Sequence, residues 1–372
     1  MENSVRIGII GCGDVMAAYI YHAQILRGQG LVEVTYACDR REERQALMRQ
    51  QYSVPAFTTD PAALLASDTV DAVLVLTSMP EHGSLATQAL QAGKHVLVEK
   101  PMAVSLQEAQ SLLESARKSP GLLVCAPFVM LSPTYRTIWS RIQRGDIGRV
   151  LSARARYGHA GPTWGSWYYQ KGGAIFDLAP YNLTSLTGLL GPARRVLAMT
   201  GTAIPERIVD GAATRSQVED NAHILVDFGD ATFAVVTSGF TMQQYRCPAL
   251  ELYGSLGTLQ MMGDDWDPEG YELFQNSLGA WQVYQETDPG WLWTDGLRHL
   301  VECIRKGQKP LISPEQAYHV LEIMVKAKQS GRDGQEKMIE SSFPAPQIEA
   351  PLEPAQVHLV HDRTHQRGAA SE

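Results

Sequence analysis

The sequence predicts two unlike domains in tandem. The first is an α/β domain with a doubly wound parallel sheet of the Rossmann type. The second is an α+β domain with a large, open, mainly antiparallel sheet. Three observations predict this. A glycine turn, Gly11-Cys12-Gly13, follows the apolar run Val5 to Ile10. Strand-like and helix-like segments then alternate over the first third of the chain, and the strands are largely apolar, as expected of a parallel sheet covered on both faces. After about residue 126 the alternation gives way to a series of strands separated by turn residues.

Each element has its own signal. Val5–Ile10 is the first strand, and Gly13–Arg27 is the helix it feeds. Val32–Cys38 is a second strand, Arg40–Gln51 a charged helix, and Asp71–Thr77 a near-continuous apolar strand. The helix Pro80–Ala92 stops at Gly93. Strand His95–Val98 follows, helix Leu106–Lys118 ends at Pro120-Gly121, and Leu122–Cys125 is the last strand. The crossovers are expected to be right-handed.

The second domain opens with a helix from Pro133 to Arg144. Strands are expected at Val150–Tyr157, Arg195–Thr202, Val218–Phe228, Thr232–Gly239, Leu250–Gly254 and Thr258–Met262, and helices at Gly173–Leu190, Trp291–Lys306 and Pro314–Ser330. From about Gly331 the chain is polar and carries prolines, which reads as an extended or frayed tail. The expected boundaries are 1–125 for the first domain, 126–345 for the second, and 346–372 for the tail.

Bulk properties narrow the class. With 372 residues, 44% of them apolar and 19% charged, the chain is long enough for two packed cores. Net charge is −8, from 32 basic and 40 acidic residues, which argues against nucleic-acid or anionic-membrane partners. No apolar run is long enough to span a bilayer. Met1 to Ser4 lead almost directly into the first strand, without a signal-peptide core. The five cysteines, 12, 38, 125, 247 and 303, are scattered and form no CxxC. This fits a reduced, cytoplasmic protein without a structural zinc or a disulfide framework. No metal-ligand spacing stands out.

A glycine turn between a strand and a helix is the context in which a dinucleotide fingerprint has meaning. Gly11 permits the turn. Gly13 lets the backbone approach a pyrophosphate seated on the helix N-terminus, where Asp14 and Val15 begin the helix. Met16 stands where a third glycine or an alanine is usual. Asp39 ends the second strand, where an acidic residue bonds the adenosine ribose and repels a 2′-phosphate, pointing to NAD. Arg40 and Arg41 leave NADP open, because an arginine at this junction can bind that phosphate. Asp39 also suits the N-cap of the helix from Arg40. Lys100 follows a strand, in Glu99-Lys100-Pro101, at the end of the sheet where ligands bind, and is the first catalytic candidate.

A second signal is Gly172-Gly173-Ala174-Ile175-Phe176-Asp177, followed by Tyr181. In a helix Asp177 and Tyr181 share one face, a turn apart. Pro180 removes a backbone donor inside that helix. The glycine pair allows close approach to something flat, such as a nicotinamide or a sugar. The plainer alternative is an aspartate favouring the helix dipole and a packed tyrosine.

These segments, with Ile7 to Gly13, Ala92 to Pro101 and Asp295-Gly296-Leu297-Arg298-His299-Leu300, resemble the glucose–fructose oxidoreductase / inositol dehydrogenase (Gfo/Idh/MocA) family over nearly the whole chain. The resemblance implies an NAD(P)-dependent oxidoreductase of sugars, cyclitols or related polyols. It places Lys100 near the reacting hydroxyl and Asp177 on the catalytic helix. Four residues later the family usually has histidine, and here Tyr181 stands there. Tyrosine occupies that place in members resembling glucose–fructose oxidoreductase, xylose dehydrogenase and dihydrodiol dehydrogenase.

A tyrosine, with an ordinary pKa near ~10, becomes a base near neutral pH only beside a cation. Lys100 is the candidate cation, and Asp177 would orient the substrate hydroxyl. The resemblance also sets Thr77, Ser78 and His82 beside the cofactor with Glu99, and lays the aromatic loop of Tyr157, His159, Trp164, Trp167, Tyr168 and Tyr169 over the substrate. Tyr157, Trp164 and Trp167 are the pocket candidates. The resemblance further implies a homo-oligomer, dimer or tetramer, paired sheet to sheet through the open sheet. Two alternatives are a glycoside-cleaving or lyase enzyme using transient oxidation by NAD, and a nucleotide-binding regulator without catalysis.

Overall fold

The computed structural model describes residues 4–348 and the backbone of residues 358–360. The chain divides into two compact units. The first is built on residues up to Phe128, with Leu292–Val325 and Ser341–Pro346; the second on Val129–Trp291, Lys326–Glu340 and residues after Pro346.

In the first unit, strands and helices alternate as β1 (Val5–Ile10), α1 (Asp14–Gly28), β2 (Val32–Cys38), α2 (Arg44–Gln50), β3 (Ala56–Thr58), α3 (Pro61–Leu65), β4 (Ala72–Val75), α4 (His82–Gln91), β5 (His95–Val98), α5 (Leu106–Lys118) and β6 (Leu123–Cys125). The strands pair in parallel in the order β3-β2-β1-β4-β5-β6. Strand order therefore reverses between β1 and β4. β4 and the last three residues of β5 are buried, which is why they read as unbroken apolar runs. Helix starts follow local chemistry. Ser105 caps α5 by accepting from Glu108 N–H at 3.2 Å, and Asp60 caps α3 with Pro61 as the next residue. The short β3 and α3 lie outside the sequence expectation. So does the start of α2, at Arg44 rather than Arg40.

The second unit contains α6 (Pro133–Gln143), β7 (Val150–Gly158), α7 (Gly173–Leu190), β8 (Arg195–Gly201), β9 (Glu206–Val209), β10 (Ala212–Arg215), β11 (Asn221–Gly229), β12 (Thr232–Gly239), β13 (Leu250–Gly254), β14 (Gly257–Asp264), β15 (Asp267–Gln275) and β16 (Ala280–Gln285). After these come α8 (Gly296–Lys306), α9 (Pro314–Asp333), β17 (Lys337–Met338) and β18 (His358–Val360). Among the described residues the large sheet runs β17-β8-β11-β12-β7-β13-β14-β15-β16-β18, and β9 and β10 form a separate hairpin. Its pairs are antiparallel except β7 with β12, which makes it a mixed sheet.

Helix α7 lies on β7, β11 and β12. Burial alternates along β8 and β11. Val196, Ala198, Ala222, Ile224 and Val226 are buried, while Leu197, Met199 and Leu225 are exposed. Helix α8 packs within the first unit against α1, β5 and β6, and starts at Gly296 rather than Trp291. A Cβ at Gly296 would sit 2.3 Å from the Phe128 ring. The extended or frayed tail expected from Gly331 starts later, because α9 continues to Asp333; beyond it Lys337-Met338 pairs with β8 and His358–Val360 with β16 as short extended strands. The rest of that tail, 349–357 and 361–372, lies outside the described residues.

Candidate active site

In the first unit the carboxyl edge of the sheet gathers Gly11 to Gly13 after β1, Asp39 after β2, Thr77 after β4 and Glu99-Lys100 after β5. Open α/β sheets bind ligands outside this edge, where strand order reverses. Gly11 has φ +99°, and a Cβ there would lie 2.6 Å from the Leu76 carbonyl carbon. Only glycine makes this turn. Gly13 stands at the N-cap of α1 with extended backbone and no capping side chain, and a Cβ on it would meet nothing within 4 Å. Open space therefore fronts the free N–H groups of the first turn, an arrangement suited to phosphate. Asp14 is exposed and Val15 half-buried, so what they offer a phosphate is backbone N–H. Met16 is 2% exposed.

Asp39 is buried and accepts four hydrogen bonds: from Cys12 N–H at 2.8 Å, Arg41 N–H at 2.9 Å, Arg41 Nε at 3.1 Å and Arg41 Nη2 at 3.3 Å. Burial pushes its carboxyl up, but the Arg41 and Cys12 donors outweigh it and hold the group below the usual carboxylate range. It is not the N-cap of α2, which Glu43 occupies; it closes a turn on Arg41. Arg40 is exposed.

The Thr77 hydroxyl is buried and has no protein partner among the described residues, so it fits a bound polar group. Ser78 is exposed. His82 is 1% exposed, with Nδ1 2.9 Å from the Pro101 carbonyl and Nε2 2.9 Å from the Thr77 carbonyl. Both ring nitrogens are spent bracing the loops that carry Thr77 and Lys100. Glu99 is equally occupied, accepting from the Tyr19 hydroxyl at 2.7 Å and from Lys100 N–H at 3.0 Å. Lys100 is half-buried. Gly13's open side, the uncapped α1 and the Thr77 hydroxyl together fit a dinucleotide.

In the second unit a π-helical turn, Tyr168–Gly172, leads into α7. Gly173 has φ +79°, and a Cβ there would lie 2.3 Å from Glu219 Oε1. Glu219 pairs with Lys328 at 3.0 Å, and Lys328 lies over the Phe176 ring at 4.5 Å. A Cβ on Gly172 would meet the Trp167 ring at 3.3 Å. The glycine pair therefore makes room for a carboxylate and a ring of the protein itself, not for a flat ligand.

Asp177, 7% exposed, and Tyr181, half-buried, stand one turn apart on α7. Tyr157, at the end of β7, meets Tyr181 edge-on at 5.4 Å, and also touches His159 and Trp266, each at 6.3 Å. The aromatic loop divides. Trp167 stacks on Tyr168 at 3.8 Å, Tyr169 is in the core with its hydroxyl on the Pro162 carbonyl, and Trp164 is 53% exposed. The sequence reading missed Cys12 and Tyr19 in the first unit and Glu219, Asp265 and Trp266 in the second. A tryptophan inside the acidic run Asp264-Asp265-Trp266-Asp267 is the one visible signal among them. No group of metal-ligating side chains occurs among the described residues, and no helix there is long and apolar enough to cross a membrane.

Comparison with known proteins adds to this geometry. Residues 5–126 match the model of an oxidoreductase family with an NAD-binding Rossmann fold, and residues 135–260 match that of the GFO/IDH/MocA C-terminal domain. Over 193 residues the chain is 33% identical to dTDP-3,4-didehydro-2,6-dideoxy-alpha-D-glucose 3-reductase of Actinomadura kijaniata, covering 51% of this chain and 57% of that one. The chain thus matches little more than half of that relative's length. It is 24% identical over 355 residues to scyllo-inositol 2-dehydrogenase (NAD(+)) of Bacillus subtilis, covering 90% of this chain and 96% of that one. Levoglucosan dehydrogenase, solved with NADH and levoglucosan, is alike with a TM-score of 0.77 at 19% identity, covering 91% of this chain and all of that one; this likeness is one of fold.

Proposed function

The chain belongs to the GFO/IDH/MocA family of oxidoreductases with an NAD-binding Rossmann domain, and from that premise we propose that it moves a hydride between a secondary hydroxyl of a sugar, glycoside or cyclitol and a nicotinamide. The observation that carries the proposal is the pairing of Asp177 and Tyr181, one turn apart on a buried helix, with the Tyr157 ring against Tyr181.

NAD, when bound, supplies the hydride acceptor or donor. Gly13 and the uncapped turn of α1 hold its phosphates, Asp39 its adenosine ribose, and the Thr77 hydroxyl a further polar group. Tyr181 takes the substrate proton at its phenolic oxygen, Asp177 accepts a hydrogen bond from a substrate hydroxyl, and Lys100 supplies positive charge for the proton transfer. A second copy of the chain is the proposed partner. Leu197, Leu225 and Val235 make an exposed apolar row across β8, β11 and β12 that suits sheet-to-sheet pairing. The five free cysteines suit a reducing, cytoplasmic compartment.

The test is absorbance at the reduced-nicotinamide band, with NAD or NADP, across pyranoses, glycosides and inositols. One substrate class is expected to reduce NAD. Tyr181→Phe should cut kcat by about 10²-fold or more and leave nucleotide affinity unchanged. A fully active Tyr181→Phe would move the proton to Lys100. No reduction, with stoichiometric nucleotide released on denaturation, would replace the proposal with transient internal oxidation.

A further inference from the structure

β14 and β15 are joined by two residues, Asp265 and Trp266, between the paired Asp264 and Asp267. Hairpin tips ordinarily face water. Asp265 is instead 1% exposed. Its Oδ2 accepts from Asn182 Nδ2 at 2.9 Å and from the Ser185 hydroxyl at 3.2 Å, both on α7. Among the described residues its Oδ1 is buried without a partner, and so is the side-chain oxygen of Asn182.

Two orphaned acceptors on side chains already joined by one N–H···O bond are what an ionised carboxylate leaves behind. A single proton on Asp265 repairs this. It turns one carboxyl oxygen into a donor, and an acid facing a primary amide can form two hydrogen bonds instead of one. The ionised form would leave a buried charge with no ion-pair partner among the described residues, a costly state. Two acids bear on Asp265: Asp264 beside it, which the His159 ring also faces, and Tyr135 on α6, whose hydroxyl is spent on the Ser185 carbonyl at 3.1 Å. Burial pushes the Asp265 carboxyl up to about 7, against the lowering pull of Asn182 and Ser185.

We propose that Asp265 is held as a neutral carboxylic acid in the folded protein and that this acid, locked to Asn182 and Ser185, is a positioning residue for Tyr181. Asn182 follows Tyr181 directly, and Ser185 comes one turn later. Pro180 has no N–H to bond the Phe176 carbonyl, so this stretch of α7 lacks one of its own restraints and is tied from outside. The same hairpin tip reaches Tyr181 by a second route, because Trp266 packs on Tyr157 and Tyr157 on Tyr181. The neutral acid stands on its own; the positioning role rests on the proton transfer proposed above.

Asp265→Asn keeps the shape and a donor but cannot ionise. A carboxyl raised on folding gives stability that is whole below its unfolded pKa and is lost as pH rises through about 7. The thermal midpoint of Asp265→Asn, minus that of the native protein, should therefore grow by several degrees from about pH 5 to about pH 8. A constant difference over that range overturns the neutral acid. Asp265→Asn should also hold kcat within about two-fold, while Asp265→Ala lowers it at least about ten-fold with NAD affinity unchanged. An Asp265→Ala enzyme with native kcat overturns the positioning role. If Asp265→Ala does not fold, Asn182→Ala reads the same lock from the helix side and should likewise lower kcat and spare NAD affinity. Native protein inactive on every polyol, with the pH-dependent stability present, overturns the proposed reaction and not the neutral acid.

Discussion

Asp39, at the end of β2, and Asp265, in the hairpin between β14 and β15, are 7% and 1% exposed, yet their carboxyls are pushed in opposite directions. Burial acts upward on both. At Asp39 the Arg41 guanidinium and two backbone N–H groups overcome it. At Asp265 an amide, a hydroxyl and the residue's own backbone N–H, none of them charged, do not. Asp265 is the more deeply desolvated of the two and has no guanidinium against it; depth, together with the charge of the donors, decides whether a buried carboxyl is charged. The donors also differ in origin. Those of Asp39 come from the adjoining turn and from the glycine turn after β1. Those of Asp265, its own N–H apart, come from a helix some 80 residues earlier in the chain. The first arrangement holds a charge ready at the edge of a ligand-binding sheet, and the second turns a carboxyl into an internal strut.

The largest effect should come from breaking the backbone that serves Asp39. Gly11→Ala puts a Cβ 2.6 Å from the Leu76 carbonyl carbon at φ +99°. The turn must move, and the Cys12 N–H moves away from Asp39 with it. A loss on the order of 2–3 kcal/mol by denaturant titration is expected, with NAD affinity down by more than about ten-fold. A Gly11→Ala protein that binds NAD normally would break the link between the turn and the carboxylate. Asp39→Asn is milder. It keeps the shape, removes the charge and leaves the Arg41 guanidinium without its carboxylate. The NAD-to-NADP ratio of kcat/KM should shift toward NADP by about ten-fold, or roughly 1.4 kcal/mol. Asp265→Asn should leave that ratio where it was. A shift in both variants, or in neither, would erase the functional contrast.

The same contrast separates what is legible in the sequence from what is not. The apolar strands β1, β4 and β5 announce themselves because each is bounded by turn residues and covered on both faces, while β2, with Glu33 exposed, is legible from its β-rich composition and its ends. Strand ends then locate Gly11, Asp39 and Lys100 without further information. Helix α7 is legible from its glycine start to Leu190. β15 is not, because Pro268 and Gly270 read as a turn while the strand runs through them. α8 shows an apolar face but nothing of what that face meets. Gly172-Gly173 signals room, and only the coordinates show that Glu219 and Trp167 fill it. The pairing of Asp265 with Asn182 leaves no periodic trace, since two polar residues 83 positions apart carry no pattern.

The smallest effect sharpens the comparison by making Asp39 resemble Asp265. Arg41→Ala removes two side-chain donors and the positive charge, leaving burial opposed only by the N–H groups of residues 12 and 41. The Asp39 carboxyl should rise. Its depressed pKa gives the native protein stability that is present above the unfolded value, near ~3.9, and lost as pH falls through the lower folded value. Because the Arg41 side chain is 40% exposed, the stability at stake is screened to about 1 kcal/mol or less. Native protein should therefore be slightly more stable than Arg41→Ala at about pH 6, and the gap should be narrower at about pH 3. Thermal midpoints at the two pH values decide it. A gap that persists undiminished in acid would mean that Arg41 stabilises the fold by packing rather than by its charge on Asp39.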